Sequence, residues 1–401
     1  MNNADQNVHS SDALAQSLKG IKVVALEQAI SMPYCTFMLA EMGAEVIKIE
    51  RKGSGDVVRG WDSAVGGMST GFVWVNAGKK SVALDLRNDG AKAALRALIA
   101  TADVFVENLG PGSVARLGLG RETFSEHPGL IYVSLSGYGQ NGPARDRKAY
   151  DLTMQAETGI LLTNGSPDNP AKVGLPITDL IAGSNAAIGI LSALQQRSHT
   201  GQGCYLDIAM FDSALPWLGY YPHHAWHSGT EPPRSGMHHQ YIVPYGPYMA
   251  SDGRQVCLAI GDDKTWGVFC KKVIERPDWI GHPIFGTIAT RRQHRDQVEP
   301  EVAAILASKP SYEWFKRLDE ASIGYGNVNK IADVIEHPQA KARQMFVQAT
   351  SNIGEVPLVR HPLGPINKKR HLPALSEHTN SVLVELGFQI NESGSVERIA
   401  L

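Results

Sequence analysis

Short apolar runs alternate with amphipathic stretches through the first half of the chain. Residues 21–26, 45–50, 81–85, 104–107 and 130–134 are β-rich runs bounded by polar turns. Residues 33–42, closed by Gly43, and residues 89–100 carry helical spacing between them. That alternation predicts a parallel sheet covered on both faces. The polar loops then fall at the carboxyl ends of the strands, where open α/β sheets bind ligands. A further helix is predicted over 180–195. Ile181, Ile188, Leu191 and Leu194 supply its bulky positions, and Ala182, Gly183, Ala186, Ala187 and Gly189 a close-packing side. A strand over 204–208 follows. From 220 to 247 the composition turns to Pro, His, Gly and Tyr without clear periodicity, which reads as a connecting segment with a binding role. Beyond it lies a smaller α/β pattern: a strand at 255–260, helices near 265–273, 291–307, 311–320 and 331–336, and a strand-like run at 355–360.

Composition narrows this picture. A length of 401 residues suggests two domains, and 43% hydrophobic with 19% charged residues describes a soluble globular protein. A net charge of -2 gives no global field to recruit nucleic acid, so any anion site must be built locally. The four cysteines stand far apart, a spacing that fits neither a disulfide framework nor a zinc site and leads us to expect a reducing, cytoplasmic setting. No apolar run is expected to reach the ~18 residues of a membrane span. Residues 1–17 are polar, lack the apolar stretch of a secretory signal and read as a disordered tail.

The candidate chemistry centres on Asp179, at the predicted helix start. A carboxylate there accepts unpaired backbone N–H groups as an ordinary cap. The same geometry holds it ionised against the helix dipole, and an ionised, positioned carboxylate is a nucleophile for activated acyl groups. Gly137, Gly139 and Gly142 match a dinucleotide-binding spacing, but Pro143 follows directly and several strands precede them, so neither NAD nor a flavin is expected. Arg51, Lys52, Lys79, Lys80, Arg87, Arg116 and Lys148 recur in loops around the strands; together at the sheet edge they would suit a phosphorylated ligand. Asn108 with Gly110, Pro111 and Gly112 offers a polar turn at that edge. Arg234, His238 and His239 read as hydrogen-bond donors for a substrate carboxylate, or as plain surface polarity. Adjacent histidines point in different directions, and Pro222 and Gly229 argue against a helix carrying His223 and His227, so no metal site is expected.

Several motifs taken together resemble the family III CoA-transferases. They are residues 18–23, 43–50, 76–81, 106–108, 136–140, 193–195 and 200–203, with Gly364 and residues 377–379 closing the set. The resemblance implies a Rossmann-like α/β large domain, a smaller α/β domain and two chains interlocked as rings in a homodimer. The implied division is a tail over 1–17, a large CoA-binding domain over 18–220, a linker and substrate segment over 221–247, a small domain over 248–335 and a returning C-terminal segment over 336–401. It makes Asp179 the acyl-accepting nucleophile beside a Tyr150–Asp151 pair, and maps coenzyme A contacts onto Arg51, Leu84, Arg87, Asn108, Arg116 and Lys148. Racemases of the family place a catalytic histidine where this chain has Tyr150, and the glycine run of the oxalate transferases is absent. Residues 236–248 are instead similar to transferases acting on C4 and C5 dicarboxylates. The implied activity moves CoA from an acyl-CoA, expected to be succinyl-CoA, to a small carboxylic acid such as itaconate, mesaconate or malate. A racemase or a non-catalytic CoA-binding protein is the alternative.

Overall fold

The computed structural model describes residue 14 and residues 16–399, so the tail expected over 1–17 lies almost wholly outside the described residues. Contacts divide the chain into two units. The first runs to Thr158 and adds Gly174–Gly219 and Pro338 onward; the second takes Gly159–Val173 and Tyr220–His337. Residues 159–173 thus join the second unit, although the sequence reading set them in the large domain, and the segment over 221–247 is part of a unit rather than a linker.

The first unit is built on six parallel strands: β1 (Lys22–Leu26), β2 (Glu45–Arg51), β3 (Lys79–Leu84), β4 (Val104–Glu107), β5 (Ile131–Ser136) and β6 (Tyr205–Ala209), in the order β3-β2-β1-β4-β5-β6. Alternate residues serve opposite faces. Val23 and Ala25 join one core cluster with Val46, Val104 and Val106; Val24 and Leu26 join another with Ile47, Ile49 and Phe105. Helices α1 (Ser31–Glu41) and α4 (Ile177–Thr200) belong to the first cluster, and α2 (Asp89–Ile99) to the second. Both faces are covered, which is why the strands read as apolar runs. Strand order reverses between β1 and β4, so their following loops diverge and open a crevice at the carboxyl edge.

Helix α4 begins three residues earlier than its apolar pattern suggested and ends at Gly201, whose φ of 70° gives the left-handed cap. By length and composition it could cross a membrane; in this fold Ala182, Gly183, Ala186, Ala187 and Ile190 bury its small-residue side in the core. Gly183 sets the closeness, because a Cβ there would stand 2.4 Å from the Ser31 carbonyl oxygen on α1. A short helix, α3 (Asp151–Glu157), lies between β5 and α4 in the chain. The C-terminal segment returns to this unit as a small sheet of Phe346–Ser351, Gly354–Val359 and Arg370–His371. Arg370 anchors it with a two-pronged, buried pair to Glu41 at 3.0 and 2.9 Å.

The second unit carries an antiparallel sheet, β7 (Tyr245–Met249), β8 (Gln255–Ala259) and β9 (Tyr325–Asn327). Helices α6 (Asp263–Val268), α7 (Arg295–Leu306) and α8 (Ser311–Glu320) pack around buried Trp266, Trp279 and Trp314, and α5 (Tyr221–Ser228), which buries no residue, precedes them in the chain. The helix α5 corrects the sequence reading. Pro222 sits in its first turn, where no N–H is needed, and Gly229 is the left-handed residue that stops it, so both residues mark boundaries.

Candidate active site

Strands β1 and β4 pair as far as Leu26 and Glu107, and the residues that follow form the crevice. Glu27 turns inward and is fully enclosed. Lys79 Nζ meets it at 2.8 Å, Lys48 Nζ at 3.3 Å and the Thr36 hydroxyl at 2.7 Å. Burial pushes the Glu27 carboxyl up, but Lys79 and Lys48 outweigh it and hold the group below its ordinary value. Lys48 also donates to Asp56 at 2.7 Å, while burial pulls Lys79 down to about 8 against the attraction of Glu27. Such an enclosed set is stable only when every charge is matched. The pairing removes Lys79 from the anion-binding set: it opens β3, buried, and its neighbour Lys80 pairs with Glu45 at 2.5 Å.

The same network shapes the loop between β1 and α1. Asp56 accepts the Ala29 N–H at 3.0 Å, and Ala29 takes a left-handed φ of 61°. Asn108, just beyond β4, bonds Gln28 on both sides, accepting its N–H and donating to its carbonyl, each at 2.9 Å. Ser31 then begins α1, buried, with its carbonyl oxygen close against Gly183 of α4.

Asp179 is the third residue of α4 and not its cap. The capping task falls to Asp151, whose Oδ1 accepts the Thr178 N–H at 2.9 Å and the Thr178 hydroxyl at 2.8 Å, and whose Oδ2 accepts from Gln155 at 2.8 Å. Asp151 therefore anchors the start of α4, while its neighbour Tyr150 is 75% exposed. Asp179 is half-buried. Burial, then the Asp151 charge, push its carboxyl up to about 7. The expectation that the helix dipole keeps it fully ionised is thus corrected: desolvation and a like charge prevail. Two backbone donors at the helix start are already engaged, Thr178 N–H by Asp151 and Leu180 N–H by the Pro176 carbonyl at 3.1 Å.

Beside this loop lies a cleft of about 770 Å³ at the carboxyl ends of β1, β2 and β3, with Gln28, Arg51, Lys52, Leu84, Arg87 and Leu117 in its wall. Arg51 and Leu84, both mapped to coenzyme A, line it, as does Arg87, whose guanidinium grips Asp85 at 2.9 and 2.8 Å. Those bonds hold the Asp85 carboxyl down at about 2. Arg116 donates to Ser113 at 3.0 Å one residue before Leu117, and Lys148 is exposed in the loop ahead of α3. Asn108, also mapped to coenzyme A, has its carboxamide engaged by Gln28.

The three substrate residues lie in the second unit. Arg234 donates Nε to the Ser166 carbonyl at 3.0 Å and an Nη2 hydrogen to that of Pro167, so part of its fork is structural. His239 Nδ1 accepts from Tyr241 and Ile242 N–H at 3.0 and 3.2 Å, and burial followed by the Arg295 charge lowers its pKa, leaving a neutral ring with Nε2–H to donate. His238 stands edge-on to Tyr248 at 5.3 Å, with Nδ1 3.4 Å from Glu299 and its ring against Gly246.

Sequence reasoning missed Ser31 and the Glu27–Lys48–Asp56–Lys79 set. Lys48 was the available signal: a lysine amid the apolar run of β2, covered on both faces, needs a buried acid.

Comparison with known proteins agrees with this architecture. The sequence profile of CoA-transferase family III matches residues 18–379. The chain is 33% identical to a succinyl-CoA:mesaconate CoA-transferase of Haloarcula hispanica over 92% of this chain and 96% of that one. It is 31% identical to a succinyl-CoA:glutarate CoA-transferase of Mus musculus, over 95% of this chain and 88% of that one. A CaiB/BaiF family protein of Brucella suis superposes with a TM-score of 0.81 at 31% identity, covering 93% of this chain and 100% of its own. The chain belongs to CoA-transferase family III.

Proposed function

We propose that this enzyme moves coenzyme A from succinyl-CoA to a C4 or C5 dicarboxylate, such as itaconate, mesaconate or malate, through a covalent intermediate on Asp179. One observation carries the reading: the loop that sets Gln28 in the wall of the cleft also packs Ser31 against α4 at Gly183, one turn beyond Asp179. A thioester bound along that cleft meets a carboxylate that is partly stripped of water.

Asp179 attacks the thioester carbonyl, the C–S bond breaks, and a mixed anhydride and CoA thiolate result. The thiolate attacks the Asp179 carbonyl carbon and expels succinate, leaving an aspartyl-CoA thioester. The acceptor carboxylate attacks in turn, and the thiolate then takes the new acyl group and frees Asp179. Partial burial shields both intermediates from hydrolysis. Arg51, Leu84 and Arg87 hold coenzyme A in the cleft, with Arg116 and Lys148 at its approaches. Arg234, His238 and His239 bind the far carboxylate of the acceptor; the glutarate and mesaconate named for two relatives are five-carbon diacids, which supports this choice. An interlocked homodimer in the cytoplasm completes the reading. Exposed Leu175, Ile188 and Trp226 support a partner surface, and four unpaired cysteines a reducing compartment.

The test is a CoA-transfer assay with succinyl-CoA and a panel of mono- and dicarboxylates. Asp179→Ala is expected to lose at least about 10³-fold in turnover, and near-normal turnover would refute the mechanism. Arg234→Glu should raise KM for dicarboxylates selectively; an equal effect on monocarboxylates contradicts the acceptor assignment.

A further inference from the structure

We infer that Arg295 is a positioning residue for acceptor recognition, holding the backbone around His239 so that the ring offers Nε2–H as a fixed donor; the inference rests on the reading of His239 as a ligand of the acceptor's far carboxylate. Arg295 opens α7. Its Nη2 donates to the His239 and Gln240 carbonyls at 2.6 and 3.0 Å, and its Nη1 to Glu299, one turn along the same helix, at 2.7 Å. A guanidinium committed to two carbonyls and a carboxylate serves as a bracket and not as the anion site itself. Its rigid planar fork is what lets one side chain make these bonds together.

His239 is fixed on its other sides as well. Its N–H donates to the Tyr245 carbonyl on β7 at 2.9 Å, and its ring stacks on that of Tyr245 with centroids 5.1 Å apart. Nδ1 accepts from Tyr241 and Ile242 N–H, so the ring proton sits on Nε2, which has no hydrogen-bond partner among the described residues. The residues that follow are tied to α5 and to Tyr220 just before it. Gln240 accepts from the Tyr220 hydroxyl at 2.9 Å and donates to that of Tyr221, and the Tyr241 hydroxyl lies 3.0 Å from His224 Nδ1. Residues 239–241 are thus gripped by Arg295 from one helix and by aromatic side chains from another, while one edge of the His239 ring is left free. A donor already held in place loses little further freedom when an anion binds, so more of its bond energy appears as affinity. A carboxylate at the far end of the acceptor can meet that donor, and an acid without one cannot. Arg295 therefore acts on specificity through His239.

Wild type, Arg295→Lys, His239→Ala and the double variant are compared at saturating succinyl-CoA with glutarate and with butyrate, which lacks the far carboxylate. Affinity is read as KM, or as Ki for an acid that is not turned over. Arg295→Lys keeps a positive charge beside Glu299 but loses the fork. It is expected to weaken glutarate about 10–30-fold and butyrate by less than about threefold, with kcat held within about threefold. In the His239→Ala background the same substitution should weaken glutarate by less than about twofold more, because the two residues act as one unit. Equal losses for the two acids, or a full loss added on top of His239→Ala, would overturn the inference, as would wild-type glutarate affinity in Arg295→Lys. Arg295→Gln keeps one amide donor and stands in should Arg295→Lys fail to fold, with the same outcomes expected. If His239→Ala binds glutarate as wild type does, the acceptor reading fails and the inference with it; a loss there beside an unaffected Arg295→Lys removes the inference alone.

Discussion

Burial and the neighbouring Asp151 carboxylate push the Asp179 carboxyl to about 7, which sets when the residue can act. Its ionised form is the nucleophile, so kcat/KM should rise with pH through an apparent pKa near 7; a plateau reaching down to pH 5 would contradict this. Stability runs the other way. The native state holds this proton more tightly than the unfolded chain, so the group's contribution is present at low pH and is lost as pH rises toward 7. Asp179→Asn, inactive as a transferase, should therefore raise Tm by roughly 2–4 °C at pH 8 and by less at pH 5. Equal Tm gaps at both values, or a lower Tm, would show that the carboxylate is not destabilising. The position of Asp179 before a small-residue helix was legible in the sequence. Its ionisation was not, because Asp151 and Asp179 come together only in the fold. Arg234 makes the same point: its cationic character was readable, its bonds to two backbone carbonyls were not.

At the scale of elements, the loop between β1 and α1 owes its shape to charges beneath it. Lys48 is fully enclosed between Glu27 and Asp56. Lys48→Met leaves both acids short of a partner and should cost about 3–5 kcal/mol in urea unfolding, whereas a loss under about 1 would mean the acids find other partners. Close approach of α1 and α4 is the second requirement. Gly183→Ala brings a Cβ to 2.4 Å from the Ser31 carbonyl oxygen, so helix and loop must shift. We expect about 1–3 kcal/mol of destabilisation and reduced turnover, and unchanged turnover would show that the spacing is not needed. The strands were legible because apolar runs of four to seven residues separated by polar turns have few other readings. The start of α4 was not, since Asp151 caps it from a different helix. Tyr221–Ser228 was missed because Pro222 was taken as a breaker where it serves as a first-turn residue.

For the whole molecule, two units each carry part of the proposed chemistry: the cleft and Asp179 in the first, Arg234, His238 and His239 in the second. Apolar side chains left exposed in both, Ile188 at 62% and Trp226 at 73%, fit the interlocked dimer that the family resemblance implies. Light scattering at micromolar concentration should give the mass of two chains, and a monomer would contradict the assembly. The two-part organisation was visible from the change in composition after residue 220, but the excursion of residues 159–173 into the second unit was not, because only a tertiary contact such as Arg234 with Ser166 reveals it. The measurement that tests the central claim most directly is mass spectrometry after incubation with succinyl-CoA and hydroxylamine, without acceptor. A covalent intermediate should leave a hydroxamate, a gain of about 15 Da, on the peptide containing Asp179. Protein that binds succinyl-CoA yet stays unmodified there would contradict transfer through Asp179.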